Sequence, residues 1–326
     1  LILFSAWCFS NVLGLLISDS FKTIITIYIL IPFLIIPQLI LSGVIVKYEK
    51  LNPNISNPEN IPFYGEVITA RWAYEALAVY QFKNNAYEKN FYTYDKTMSS
   101  AEFKKNYWIP TLQNKVSYCK RNLNDPEKEN QVRQNLKLIR NELREEQKNQ
   151  SASVVSFSEM DDLYYEQISE NTFESLDRYL SLLKRYYIKL YNKANSKKDA
   201  KISRMQSDAE KREKFLELKR AHYNEKLADF VKNSNEVNRI IEYEGELIQK
   251  IDPIFLDPES NFVKAHFYAP RKQVFGKYFD TFWVNFVVIW VMSIILYVIL
   301  YLRLLRKFLD FLEVRAGFQL KKSPFK

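Results

Sequence analysis

Two pairs of side chains carry the chemistry this sequence offers. Arg71 and Glu75 stand four residues apart in FYGEVITARWAYEALAVYQFK, residues 63–83. That spacing puts a guanidinium and a carboxylate on one face of a helix, where they can pair. Gln38 and Ser42 share the spacing inside IITIYILIPFLIIPQLILSGVIV, residues 24–46, a run without a formal charge. Polar groups in such a run turn toward protein or water rather than hydrocarbon. No nucleophile or second positioned carboxylate accompanies Arg71 and Glu75. A structural ion pair near a membrane surface is the simple reading, and anchoring of a gate-coupled helix is the sharper one. For Gln38 and Ser42 the choice lies between substrate contact and satisfying carbonyls freed near Pro37.

Other chemistries are excluded by counting. The six glycines never come closer than 22 positions, Gly43 to Gly65. A P-loop needs two glycines five apart and a dinucleotide fingerprint needs three within six residues, so neither motif exists here. Cys8 and Cys119 make no disulfide framework. His222 and His266 have no cysteine nearby, which leaves no zinc-ligand spacing. The net charge is +9. Residues 303–326 hold seven basic and two acidic groups, so +5 of it lies there. The rest of the chain is nearly balanced, which argues against nucleic acid as a partner.

The elements that must position these residues divide the chain by hydropathy. Residues 24–46 would span roughly 34 Å as a helix, against a hydrocarbon core of about 30 Å. Pro32 and Pro37 lie inside, so a kinked transmembrane helix is expected. Residues 281–302 form a second span, with Trp283 and Tyr301 near its ends where aromatic side chains favour the interface. Residues 1–17 are apolar from Leu1 to Ile17, with neither a basic leader nor a small-residue cleavage site. They are expected to be a truncated span of a protein that continues upstream. Arg303, Arg306 and Lys307 follow the last span directly, which places the 303–326 tail in the cytoplasm and residues 47–280 outside.

The middle reads as helical. Residues 47–85 are expected to form an external loop, rich in Pro and Asn, followed by an interfacial or re-entrant helix. Residues 86–270 carry three stripes with steps of three and four. These are Val132, Leu136, Ile139 and Leu143; then Phe173, Leu176, Leu180, Leu183, Tyr187 and Leu190; then Tyr223, Leu227, Phe230, Val237, Ile241 and Ile248. Such stripes bury against one another in a coiled-coil-like hairpin or bundle. Plain core packing and partner binding both fit them. The lysine-rich stretch between Asn192 and Asp208 reads as a tip or break. The expected fold is thus an all-α membrane protein with three transmembrane helices, the first truncated, and an external helical domain.

Three short motifs follow the spans in order. Ile36-Pro37 and Ser42-Gly43 end the 24–46 run; Arg71, Trp72, Glu75, Ala76 and Leu77 lie on the outer helix; Trp283, Asn285, Tyr301, Leu302 and Leu304 mark the last span. This arrangement resembles the permease half of G-subfamily (white-like) ABC exporters, over residues 1–85 and 275–307. The resemblance implies a dimer of half-transporters, homodimeric or heterodimeric, embedded in the inner or plasma membrane. ATP and Mg2+ would sit on an ATPase domain of the same or another chain. In that family the helix matching 24–46 lines a central cavity. By that likeness Ile36 and Leu39 face the cavity, and Val44 and Ile45 form an upper plug that closes by excluding water. Ordinary packing against lipid or helices is the alternative for each. The 86–270 insertion departs from the family pattern and suits an external protein partner. The rival reading is a membrane-anchored external helical domain for partner binding or sensing, without a transport path.

Overall fold

The computed structural model describes residues 1–21, 23–48, 61–149, 156–258, 260 and 262–321. The helices are α1 (Ile2–Ser20), α2 (Ile24–Ile40), α3 (Phe63–Glu66), α4 (Thr69–Asn84), α5 (Tyr92–Phe103), α6 (Ile109–Asn122), α7 (Glu129–Asn149), α8 (Glu170–Met205), α9 (Ala209–His222) and α10 (Glu225–Lys232). Strands β1 (Ile240–Tyr243) and β2 (Glu246–Gln249) form one hairpin, and β3 (Arg271–Val274) and β4 (Lys277–Asp280) a second. Then come α11 (Thr281–Tyr301) and α12 (Leu304–Lys321). The chain forms two compact units, Leu1–Gln81 with Asp257–Lys326, and Phe82–Leu256. The fold is mostly helical, in line with the expected all-α class, with two short β-hairpins added.

In the first unit α1 packs along α11, and both run the same way. Ile2 shares a buried cluster with Trp72, Ala73, Ala76 and Ile289. At the other end Asp19 lies near Arg303 and Arg306, at 3.8 and 4.0 Å. Both helices are long and apolar enough to cross a membrane. The buried Ser5, Ser20 and Ser293 hydroxyls are satisfied within their helices, donating to the carbonyls of Leu1, Leu16 and Ile289. Leu3, Phe4 and Trp7 on α1, and Val287, Val291, Ile294 and Ile295 on α11, stay exposed, far more apolar surface than water favours.

The 24–46 run differs from its expectation. Its helix stops at Ile40, after 17 residues or about 25 Å, and continues unbroken across Pro32 and Pro37. Ser42 therefore lies beyond the helix and does not share a face with Gln38. Its hydroxyl donates to the Leu39 carbonyl at 2.8 Å, capping the last turn. Gly43 follows with φ +79°, and a Cβ there would stand 2.5 Å from the Tyr48 ring. The same ring closes over Gly65, while its hydroxyl donates to the Leu41 carbonyl at 2.8 Å. Much of the 47–60 loop lies outside the described residues.

The second unit has its own core. Leu112, Val116 and Cys119 of α6, Val132, Leu136, Ile139 and Leu143 of α7, and Phe173, Leu176, Leu180 and Leu183 of α8 are all buried together. Two of the three stripes are thus core faces. The third is not one helix. Asn233 ends α10 in the left-handed region, and residues 240–249 turn back as a hairpin. Ile241 and Ile248 are cross-strand partners, and Val237 is 89% exposed. Glu244 and Gly245, both at positive φ, make the tight turn. The lysine-rich stretch is helical as far as Met205; the break comes at Gln206, and Asp208 caps α9 by accepting from the Lys211 amide at 2.8 Å.

Two outcomes test this core. Gly245→Val is expected to lower stability by about 1–2 kcal/mol, because the turn needs a left-handed backbone, whereas Val237→Ala changes it by less than about 0.5 kcal/mol. Urea unfolding followed by circular dichroism reads both, and a larger loss at Val237 would favour the continuous helix. Burial pushes the Cys119 thiol up to about 12, so a thiol reagent at neutral pH should modify Cys119 only in unfolded protein. Fast labelling of native protein would contradict its placement.

Candidate functional site

Three elements of the first unit meet at Glu75, and a fourth, α3, joins them through Arg71. The backbone turns between α3 and α4 so that α4 lies antiparallel to the first turns of α11. Thr69 meets Met292, Trp72 and Ala76 meet Ile289, and Tyr80 meets Phe282. Arg71 and Glu75 face inward on α4, and both are 0% exposed. Arg71 Nη1 donates to Glu75 Oε2 at 3.0 Å. Lys272 Nζ, from β3, donates to the same oxygen at 2.7 Å, and Asn285 Nδ2, from α11, at 2.8 Å. The Asn285 amide also donates to the Trp72 carbonyl at 2.9 Å. The other arm of Arg71 pairs with Glu66 of α3.

Trp72 packs between the cations. The Arg71 guanidinium lies 3.5 Å and Lys272 Nζ 4.3 Å from its ring centroid, and its indole N–H donates to the Glu66 carbonyl at 2.7 Å. Two carboxylates and two cations make the cluster formally neutral, the condition under which buried charge is tolerated. Glu75 Oε1 and Asn285 Oδ1 are buried without a hydrogen-bond partner among the described residues. Burial acts to raise the Glu75 carboxyl. The charges of Lys272 and Arg71 and the hydrogen bonds from Lys272 and Asn285 outweigh it and hold the group below the usual carboxylate range. Lys272 is pushed down to about 8 by burial, which the Glu75 charge opposes and the Arg71 charge reinforces. The asymmetry is physical: Glu75 meets two cations, whereas Lys272 meets a carboxylate and a second cation.

The pairing of Arg71 with Glu75 expected from their spacing is therefore present, but as one edge of a larger clasp. Lys272 and Glu66 have no signature in the sequence, since a lysine in a polar hairpin and a glutamate beside a glycine carry no local signal. Asn285 stands out there only as part of a motif. The residues assigned to the path are elsewhere. Ile36, Leu39 and Ile45 are exposed, Ile45 at 67%; Gln38 and Val44 are half-buried; Ser42 is buried at the helix end. None of them joins the clasp, and α2 has no buried residue. Among the described residues no group of three or more His, Cys, Asp or Glu is placed to hold a metal ion. The Lys272 amine and the Arg71 guanidinium are both held against Glu75 Oε2, an arrangement that suits fixing α4, β3 and α11 to one another.

No protein-family model matches this chain, and neither a curated protein nor a solved structure matches it.

Removing one member should leave the others charged and uncompensated. Glu75→Ala is expected to lower stability by about 3–5 kcal/mol. Lys272→Met keeps the Arg71–Glu75 pair and should cost less. Thermal unfolding of the purified chain in detergent ranks the variants, and an unchanged Glu75→Ala melting temperature would contradict the clasp. The stability that Glu75 contributes is fully present above the ordinary carboxylate range and is lost as pH falls through its depressed folded value. Wild-type protein should accordingly lose melting temperature toward acid pH more steeply than Glu75→Gln.

Proposed function

We propose that this chain is the permease portion of an ATP-driven exporter, in the manner of the white-like ABC exporters it resembles. One observation carries the reading. Arg71, Trp72 and Glu75 come from the outer-helix motif and Asn285 from the last-span motif, and the four share one buried hydrogen-bonded cluster. Under this reading α4 is a re-entrant helix beside α11, and the clasp couples it to the spans. α2 would be the third span. It leaves α1 beside the Asp19 end, and its far end reaches Tyr48, which packs against Tyr64 and Phe267. Its exposed apolar surface would meet lipid and a second permease chain across the cavity. ATP and Mg2+ would act on a separate nucleotide-binding domain.

In such a path Val44 and Ile45 face their counterparts in the second chain and close the exit by excluding water. Ile36 and Leu39, three residues apart, would line the cavity below. Gln38 is left to face the path, and Ser42 is occupied in capping α2. The transported substrate is unassigned. A second reading, a membrane-anchored binding domain, draws support from the independent core of Phe82–Leu256.

The plug is testable without a known substrate. In a Cys8→Ser background, Ile45→Cys in native membranes should cross-link to its partner chain under mild oxidation. ATP with vanadate, which traps the outward-open state, should abolish the cross-link. Correctly inserted protein that never cross-links would overturn the plug and leave the anchored-domain reading ahead. Val44→Asp should reduce vanadate-sensitive ATP turnover or export in the assembled transporter while leaving its abundance unchanged.

A further inference from the structure

The chain does not end its ordered structure at the second long apolar helix. Leu302 closes α11, Arg303 adopts φ +52°, and α12 begins at once as a separate helix. A left-handed residue at a helix junction redirects the chain within one step. Asp19, at the end of α1, faces Arg303 and Arg306 and holds the junction to the α1–α11 pair.

α12 is amphipathic in an unusual place. Leu304, Phe308, Phe311 and Leu312 fall at steps of four, three and one, which is a single helical face. All four are exposed, Phe308 at 56% and Phe311 at 59%. Arg306 lies on the other side with Asp310 and Glu313, Lys307 borders the apolar face, and Arg315 falls within it one turn beyond Phe311. Basic residues exceed acidic ones across this segment. A soluble helix with this pattern would turn its phenylalanines into a core. Here they face away from the unit that carries the helix.

We propose that α12 is an interfacial anchor that lies on an anionic phospholipid surface, at the leaflet where α11 ends. Its apolar face would enter the headgroup–acyl boundary, and Arg303, Arg306, Lys307 and Arg315 would meet lipid phosphates. Three observations single out lipid over a second protein. The helix is continuous with one apolar enough to cross the bilayer, so it starts at the membrane surface. Its aromatic and leucine side chains form one face, with Arg306, Asp310 and Glu313 opposite and Lys307 at the border, the segregation seen in helices that lie in the interface plane. Its charge complements the negative surface of a cytoplasmic leaflet. The inference rests on α11 being a span.

The test uses the full chain in a Cys8→Ser background, with Cys119 buried. Single cysteines at Phe311, Glu313 and, within α11, Ile295 carry an environment-sensitive fluorophore. The protein is reconstituted in phosphatidylcholine vesicles with or without phosphatidylglycerol, containing lipids spin-labelled at shallow or deep positions. The label at 295 should be quenched by the deep probe. The label at 311 should be quenched by the shallow probe about twofold more than the label at 313, and more strongly when phosphatidylglycerol is present. Replacing Arg306, Lys307 and Arg315 by Gln together should remove the phosphatidylglycerol dependence. A quenched 295 with a water-exposed 311 would overturn the anchor while leaving the span intact. A 311 label shielded from aqueous quencher yet untouched by lipid probes would also overturn it, in favour of a protein contact. An unquenched 295 would remove the span and the anchor together.

Discussion

Glu75 is the point on which the first unit depends. A carboxylate without water is tolerated only where cations and donors surround it, and its Oε2 gathers Arg71, Lys272 and Asn285 from three elements. Each of those elements is fixed in turn. α4 cannot rotate without exposing two charges to apolar neighbours, β3 cannot slide without withdrawing Lys272, and the start of α11 is tied through Asn285 to both the carboxylate and the Trp72 backbone. Hydrophobic packing alone would leave α4 free to shift along α11 by a turn. The clasp sets the register because hydrogen bonds are directional and apolar contacts are not.

α2 shows the contrast. It has no buried residue, and its far end is held by a small-residue fit, with the Tyr48 ring over Gly43 and Gly65. A helix placed by its ends and bare along its length can move its apolar surface against lipid or another chain without breaking a buried contact. The clasped helices and the bare helix lie in one unit, a frame fixed by buried polar bonds beside a helix that buries none of its residues. α12 extends the frame by a different means, an ion pair from Asp19 to the arginines at the junction.

The second unit is built on other physics. Its stability lies in a shared apolar core of α6, α7 and α8, and its polar contacts pin the periphery. Glu142 accepts from the Trp108 indole and from the Leu247 amide, fastening the β1–β2 hairpin to α7. Lys104 reaches Glu146 at 2.7 Å from the π-helical turn Lys104–Trp108. A unit with its own core can fold while its flanking segments insert elsewhere, which suits a large insertion between two apolar helices.

What the sequence determined by itself follows from local rules. The apolar runs marked α1, α2 and α11 because hydropathy sums along the chain. The 132–143 and 173–190 stripes marked core faces because 3.6-residue periodicity needs no partner to be seen. The i, i+4 spacing paired Arg71 with Glu75. The same reasoning carried a helix through 223–248, where residues of helical period meet a left-handed Asn233 and a Glu244-Gly245 turn, and the backbone conformation won over the pattern. It also ran α2 past Ile40, where Ser42 and Gly43 end the helix. Tertiary structure alone decided that Lys272 and Asn285, about 200 positions from Glu75, complete its shell. It alone decided that Cys119 is buried and that α12 presents its phenylalanines outward. Contacts between distant segments have no signature in either segment, because a lysine or asparagine reads the same whether water or a carboxylate waits for it.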